Sequence, residues 1–224
     1  MARIDIVAAH PLETAWLRAE LGCEEHSPGI WQKPGSELRV LHTGVGSVNA
    51  AFFLGKEFSA QPPELAIQVG IAGCFDRDFD LTDVVEVVAD QFADLGADSP
   101  AGFLGMEQMG LYLWEKDGTQ WYNRIVNPGP SDAPLEKVEG ITVNTVSGEA
   151  QAIARLRQRV PQATVETMES AAFFYACLRT GTPFYAFRSI SNYVEPRNRG
   201  GWKIREAAQA VQQQVFDYFR LSLK

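Results

Sequence analysis

Apolar residues fall in short compact runs along this chain, separated by stripes with helical spacing. Residues 4–9 (IDIVAA), Leu38–His42, 65–69 (LAIQV) and 84–89 (VVEVVA) are runs of strand length and predict buried strands. Residues 13–21 predict a short helix with Trp16, Leu17 and Leu21 facing inward. Thr43-Gly44-Val45-Gly46-Ser47 predicts a turn, followed by a helix over 48–58. From 92 to 139 glycine, proline and aspartate are frequent, and neither period holds. The pattern resumes with a strand over 141–146, a helix over 149–159, a short strand-like stretch over 164–166 and an Ala-rich helix over 170–179. Gly181-Thr182-Pro183 ends that helix, and the run FYAFRSIS carries Asn192 to its end. In the last helix Ile204, Ala208, Val211, Val215 and Phe219 form a one-sided stripe. Strands alternating with helices imply an α/β sandwich. A length of 224 residues, without an internal repeat or linker, implies one domain over 1–224.

Charge narrows the partners. The net charge is -8, with acidic residues spread along the chain, which argues against nucleic acid. The nearest approach to a basic patch is Arg197, Arg199, Lys203 and Arg205, short enough to be an anion pocket or a solvated loop. Cys23, Cys74 and Cys177 lack CxxC spacing and are odd in number, which disfavours a zinc site or disulfide framework and fits a reducing compartment. His10, His26 and His42 share no metal-ligand spacing; His42, in a strand, reads as a packed core residue and His26 as a surface one. The first residues carry no long apolar segment, and no apolar run reaches membrane-spanning length. The expectation is a soluble cytoplasmic protein with no membrane partner and neither metal nor cofactor.

The candidate chemistry sits at turns and strand ends, where ligand sites gather in α/β folds. Gly44-x-Gly46 opens a helix as a dinucleotide fingerprint would, but Asn49 holds the third glycine position and no acidic residue follows suitably. A tight turn and a backbone cradle for a small ligand both remain open. Gly70-Ile71-Ala72-Gly73 ends an apolar run, where small residues permit close approach by a ligand or by a packed helix. Glu13, just after the first strand, reads on its own as a solvated first-turn glutamate favoured by the helix dipole. Glu169 heads a helix whose next residues are Ser170, Ala171, Ala172 and Phe173, so partial burial is expected there. A buried carboxylate needs partners; the vicinal hydroxyls of a sugar would serve, and so would helix amides. Asn192 suits either a ligand contact or an Asx cap.

Taken in order, Glu13, TGVG at 43–46, VGIAG at 69–73, VSG at 146–148, VETMES at 165–170 and RSISN at 188–192 resemble the nucleoside phosphorylase/nucleosidase superfamily. The resemblance spans residues 4 to 195. It implies a three-layer αβα sandwich around a central mixed twisted sheet, and a homo-oligomer. The layout is similar to that of the methylthioadenosine/S-adenosylhomocysteine nucleosidases. That similarity implies Glu13 as the group that activates water, Met168 and Glu169 as the ribose contacts, and Ala72, Gly73 and Ser191 as further contacts. Those enzymes carry an acid where this chain has Asn192. An acid suits a 6-aminopurine; an amide donates to O6 and accepts from N7–H of a 6-oxopurine. FADLG at 92–96 and the tail NYVEPRNRGGW resemble the futalosine hydrolase family, which releases hypoxanthine from a nucleoside bearing a carboxylate on its 5′ side. Arg197 and Arg199 are the carboxylate clamps this implies. A phosphorylase would call for cationic and hydroxyl ligands where Gln68 and Ile71 stand. The alternatives are a methylthioadenosine/S-adenosylhomocysteine nucleosidase, a purine nucleoside phosphorylase and a non-catalytic nucleoside-binding module.

Overall fold

The alternation of apolar residues along the strands decides how this chain layers. In the computed structural model, which describes residues 3–129 and 131–223 with side chains to 220, strand β1 is Ile4–Ala8. It turns Ile4, Ile6 and Ala8 to one face and Val7 to the other. After a helical turn at Pro11–Thr14 come helix α1 (Ala15–Leu21), strands β2 (Glu24–Ser27), β3 (Ile30–Gln32) and β4 (Leu38–His42), and helix α2 (Ser47–Ala60). Strands β5 (Leu65–Cys74) and β6 (Val84–Phe92) follow. Hairpins β7–β8 (Gly96–Ser99, Gly102–Gly105) and β9–β10 (Trp114–Lys116, Thr119–Trp121), then β11 (Arg124–Val126), occupy the stretch without a clear period. The chain continues through β12 (Glu136–Thr142), α3 (Ala150–Arg159), β13 (Val165–Thr167), α4 (Ser170–Thr180), β14 (Phe184–Tyr193) and α5 (Ile204–Leu223).

The central sheet is mixed. Its order is β11-β6-β12-β13-β5-β1-β4-β3-β2, and β14 pairs with both β5 and β6. The strands β5, β14, β6, β12 and β13 therefore close into a ring, from which β1, β4, β3 and β2 extend as an open wing. Leu54 and Phe58 of α2 pack with Phe173, Phe174 and Cys177 of α4 on one face. Leu17 and Leu21 of α1 pack with Val211, Val215 and Phe219 of α5 on the other. This is the three-layer αβα sandwich expected from the sequence. Phe173, Phe174 and Phe184 meet edge to face at centroid distances of 4.7 to 6.2 Å, the packing that ring quadrupoles favour.

Several boundaries differ from the sequence reading. The run at 65–69 continues as strand through Gly70-Ile71-Ala72-Gly73 to Cys74, because these small residues pair with β14 rather than turning away. The strand expected at 141–146 is Glu136–Thr142, since pairing with β6 and β13 selects the earlier residues. The β2–β3 hairpin has no apolar run to announce it: its residues are exposed or half-buried, and cross-strand pairing holds them. His42 is half-buried rather than a core residue, because its place at the end of β4 leaves its ring at the edge of the core; its Nε2 lies 2.7 Å from the Thr14 hydroxyl, and burial pushes its pKa down to about 4.

One side chain ties the first helix to the last. Buried Gln212 of α5 accepts from the Trp16 and Leu17 amides at 2.9 and 3.1 Å, and its Nε2 donates to the carbonyls of Leu12 and Ala208. The amides at the start of α1 lack helical partners, so this amide side chain satisfies them. Gln212→Leu keeps the volume and leaves two amides unpaired, that of Leu17 buried and that of Trp16 partly so. We expect it to lower unfolding free energy by about 2–4 kcal/mol, read from urea denaturation; a loss below about 0.5 kcal/mol would contradict this role.

Candidate active site

The first functional side chain is placed by the turn after β1. His10 caps the turn: its Nδ1 accepts from the Leu12 amide at 3.1 Å. Glu13 folds back so that Oε2 accepts from the Ala9 and His10 amides at 3.1 and 2.9 Å. Its Oε1 accepts from the Ile71 amide on β5 at 3.1 Å. Glu13 is only 9% exposed, so it is not the solvated first-turn glutamate that its sequence position suggests. Burial raises its pKa above the ordinary 4.5, against the pull of the His10 amide and the Arg188 charge. Three amides occupy three of roughly four lone-pair directions on the carboxylate, leaving about one for a ligand or water.

Gly70 explains why this arrangement fits. A Cβ there would lie 2.9 Å from Glu13 Oε1 and 3.6 Å from Arg188 Cζ. The close approach that the sequence left open is thus made by the protein's own carboxylate and guanidinium. Arg188 is 2% exposed on β14. Its Nη1 donates to the Phe187 carbonyl and its Nη2 to the Ser170 hydroxyl. Burial lowers its pKa, while the charges of Glu13, Glu169 and Asp90 raise it. No carboxylate among the described residues comes within ion-pair distance of it. The sequence reading missed Arg188, although an arginine inside the apolar run FYAFRSIS is itself a signal, because a buried cation needs partners.

The Gly44–Gly46 turn serves the second carboxylate. Gly46 adopts φ 97°, which a side chain would strain, and its amide donates to Glu169 Oε1 at 2.8 Å. The Ser47 hydroxyl donates to the Met168 carbonyl at 3.1 Å. Met168 and Glu169 are therefore clamped to the start of α2 and stay half-exposed. A further buried glutamate, Glu166, accepts from the amide and hydroxyl of Ser147 at 2.8 and 2.5 Å, and burial raises its pKa. Its pairing with Ser147 was not anticipated either; a glutamate between Val165 and Thr167 in a strand was the available hint.

Asn192 is aimed by a bulge. Ile190 pairs with Ala72 and Asn192 with Gly73, so Ser191 is the extra residue in β14. The Ser191 hydroxyl lies 2.8 Å from Asn192 Oδ1 and 3.1 Å from the Ala72 carbonyl, and Asn192 Nδ2 donates to the Tyr193 carbonyl at 3.1 Å. A Cβ on Gly73 would lie 3.2 Å from that Nδ2. The amide thus keeps one N–H and one lone pair for a ligand.

Glu13, Asn192, Met168, Glu169, Ala72, Gly73, Ser191 and Arg197 line one cavity of about 300 Å³, together with His10, Val45, Ser147, Glu166 and Trp202. Arg199 does not line it; its guanidinium lies 6.0 Å from the Trp202 ring, and that of Arg197 lies 5.3 Å from the same ring. Among the described residues no group of three or more His, Cys, Asp or Glu could hold a metal ion. No helix of these residues is long and apolar enough to cross a membrane.

Comparison with known proteins places this cavity in context. The family model described as Phosphorylase superfamily matches residues 29–221. The futalosine hydrolase of Streptomyces coelicolor is 32% identical over 85% of this chain and 82% of its own. That of Thermus thermophilus is 32% identical over 81% and 80%. A 5′-methylthioadenosine/S-adenosylhomocysteine nucleosidase of Chromohalobacter salexigens is 26% identical over 84% and 79%. The futalosine hydrolase structure of Helicobacter pylori superposes with a TM-score of 0.76 at 16% identity, covering 98% of both chains. A Neisseria meningitidis 5′-methylthioadenosine/S-adenosylhomocysteine nucleosidase superposes at 0.76 with 19% identity, over 96% of this chain and 97% of its own. At these identities the superpositions speak to the fold.

The geometry makes a pH prediction. A carboxyl whose folded pKa is raised binds its proton more tightly in the folded state. Its contribution to stability is complete below the unfolded value and is lost as pH rises through the folded one. The Glu13 carboxyl resonance should titrate above the ordinary 4.5, and Glu13→Gln should gain stability relative to the parent as pH rises through that midpoint. A midpoint at or below 4.5 would show that the three amides outweigh burial.

Proposed function

Because this chain belongs to the phosphorylase superfamily, and within it to the futalosine hydrolases, we propose that it hydrolyses the N-glycosidic bond of a 5′-modified 6-oxopurine nucleoside. The substrate is futalosine, and the products are hypoxanthine and dehypoxanthine futalosine, a step of menaquinone biosynthesis. We read residues 1–224 as one nucleosidase domain acting in the cytoplasm as a homo-oligomer, a dimer or larger. Exposed Val48 and Phe52, beside the cavity-lining Val45, give α2 an apolar patch suited to such contact.

The observation that carries the reading is the amide of Asn192 sharing a cavity with the buried carboxylate of Glu13. Bond cleavage passes through an oxocarbenium-like transition state. As the bond breaks, N7 of the leaving purine takes a proton from solvent water; the free N–H of Asn192 donates to O6, and its free lone pair accepts from the N7–H so formed. Glu13, held by three amides, takes a proton from the attacking water, help worth about 10²–10⁴-fold. Glu169 grips the ribose hydroxyls and Met168 packs on the sugar. Ala72, Gly73 and Ser191 frame the base. Arg197 meets the 5′ carboxylate.

The charge balance favours water over phosphate as the acceptor. Arg188 is the buried cation beside Glu13, and Glu13, Glu169 and Asp90 surround it. That leaves little net positive charge for a phosphate dianion. Gln68 is buried, and the Ile71 amide is committed to Glu13.

Base preference tests the reading. Turning the amide to suit a 6-aminopurine sacrifices the contact to protonated N7, a mismatch of about 1–3 kcal/mol, or roughly 5- to 150-fold in rate. The parent should therefore release hypoxanthine from futalosine faster than adenine from its 6-amino analogue by a factor in that range. Asn192→Asp should lose activity on the 6-oxo substrate and shift the ratio of kcat/KM towards the 6-amino one. Equal preference in the parent, or an unmoved ratio in the variant, would refute the role of Asn192.

A further inference from the structure

Two cavity residues on opposite edges of β5 share one partner. Glu166 of β13 and Asn192 of β14 both pair with Gly73, and paired residues turn their side chains to the same face of a sheet. Neighbouring strands lie about 4.8 Å apart, so the two Cα atoms stand roughly 10 Å from one another across Gly73. Gly73 keeps the space between them open; a Cβ there would lie 3.2 Å from Asn192 Nδ2. Both side chains line the same cavity. An amide and a carboxyl thus flank one opening, placed to meet adjacent edges of one flat ligand.

The reaction described above leaves Glu166 without a task, and its carboxyl is only partly used. It is 5% exposed and accepts from the amide and hydroxyl of Ser147. These two donors fill two of roughly four lone-pair directions, leaving about two. A glutamine would hold Ser147 equally well, its oxygen on the amide N–H and its nitrogen on the hydroxyl. It would do so without the cost of burying an acid. Burial raises the Glu166 pKa against the two Ser147 bonds. A buried acid in the wall of a ligand cavity, with acceptor capacity to spare, suits a donor on the ligand.

We propose that Glu166 is a second specificity-determining residue, its carboxylate accepting from N1–H of the 6-oxopurine while Ser147 holds its orientation. This rests on the 6-oxopurine reading for the identity of the ligand. In its lactam form such a base carries a hydrogen on N1, next to O6. With O6 and N7–H on Asn192, the N1–H is directed to the neighbouring wall, where Glu166 stands. A 6-aminopurine has a bare lone pair at N1, which a carboxylate repels. The amide of Asn192 can turn towards either base; an ionised carboxylate only accepts. Glu166 therefore supplies the repulsive half of the discrimination, and Asn192 the attractive half.

Binding of free bases tests this without turnover. Calorimetry at neutral pH should show the parent binding hypoxanthine more tightly than adenine. Glu166→Gln retains an acceptor and a donor for Ser147 and can turn an N–H to a bare N1. It should lower the hypoxanthine-to-adenine affinity ratio about tenfold, chiefly by improving adenine. In the parent, 1-methylhypoxanthine, which keeps O6 and N7 but has no N1–H, should bind at least about tenfold more weakly than hypoxanthine. An unmoved ratio in Glu166→Gln, or undiminished binding of 1-methylhypoxanthine by the parent, would overturn the proposal. Equal weakening of both bases in the variant would also overturn it, by marking Glu166 as a support for the 146–148 loop. Should Glu166→Gln fail to fold, the 1-methylhypoxanthine comparison decides alone. A parent that bound neither base would sink the purine reading together with this one. A parent that prefers hypoxanthine, with a ratio Glu166→Gln does not move, would refute the role of Glu166 alone.

Discussion

A carboxylate removed from water has to be held from several directions, and the fold around Glu13 supplies them. The capped turn after β1 brings two amides, β5 brings a third, and β14 brings the guanidinium of Arg188. These elements lie far apart in sequence and meet only because β1, β5 and β14 are neighbours in the sheet. Gly70 is the point of closest approach, where any side chain would displace the carboxylate. Gln212 of α5, in the same helical layer as α1, secures the same turn through the start of α1 and the Leu12 carbonyl. The position of one buried acid thus draws on one helical layer and on three neighbouring strands of the sheet.

The same economy shapes the far side of the cavity. The bulge at Ser191 adds one residue to β14 and turns Asn192 to the site, while Gly73 opposite it gives the amide room. The Gly46 turn anchors Glu169 with a backbone amide. Each polar side chain is held by main-chain groups and retains part of its hydrogen-bonding capacity, which is the condition for recognising a small polar ligand without reorganisation.

Much of the fold was legible because burial leaves a period. Leu38–His42 is the strand the apolar run predicts, and the stripe on α5 faces the sheet through Val211, Val215 and Phe219. The β2–β3 hairpin and the strands between 96 and 126 were not legible, since they carry few fully buried residues and so leave no apolar period. The shift of the strand expected at 141 to Glu136–Thr142 comes from pairing with β6 and β13, partners distant in sequence. At the site, the glycines and carboxylates stood out in the sequence, but their mutual contacts did not. Nothing local says that Gly70 accommodates Glu13, or that Thr142 links Asp90 to the start of α4. The environment of Glu13 was misread for this reason, because its first-turn position suggests solvent and only the approach of β5 buries it.

The central claim is that water attacks the sugar directly, with Glu13 as its base. The most direct test is a single turnover on futalosine in ¹⁸O-labelled water without phosphate, with mass analysis of the sugar product. The account predicts one ¹⁸O atom at the anomeric carbon for each purine released, with no change when phosphate is added. A sugar 1-phosphate product, or release that occurs only with phosphate present, would contradict it.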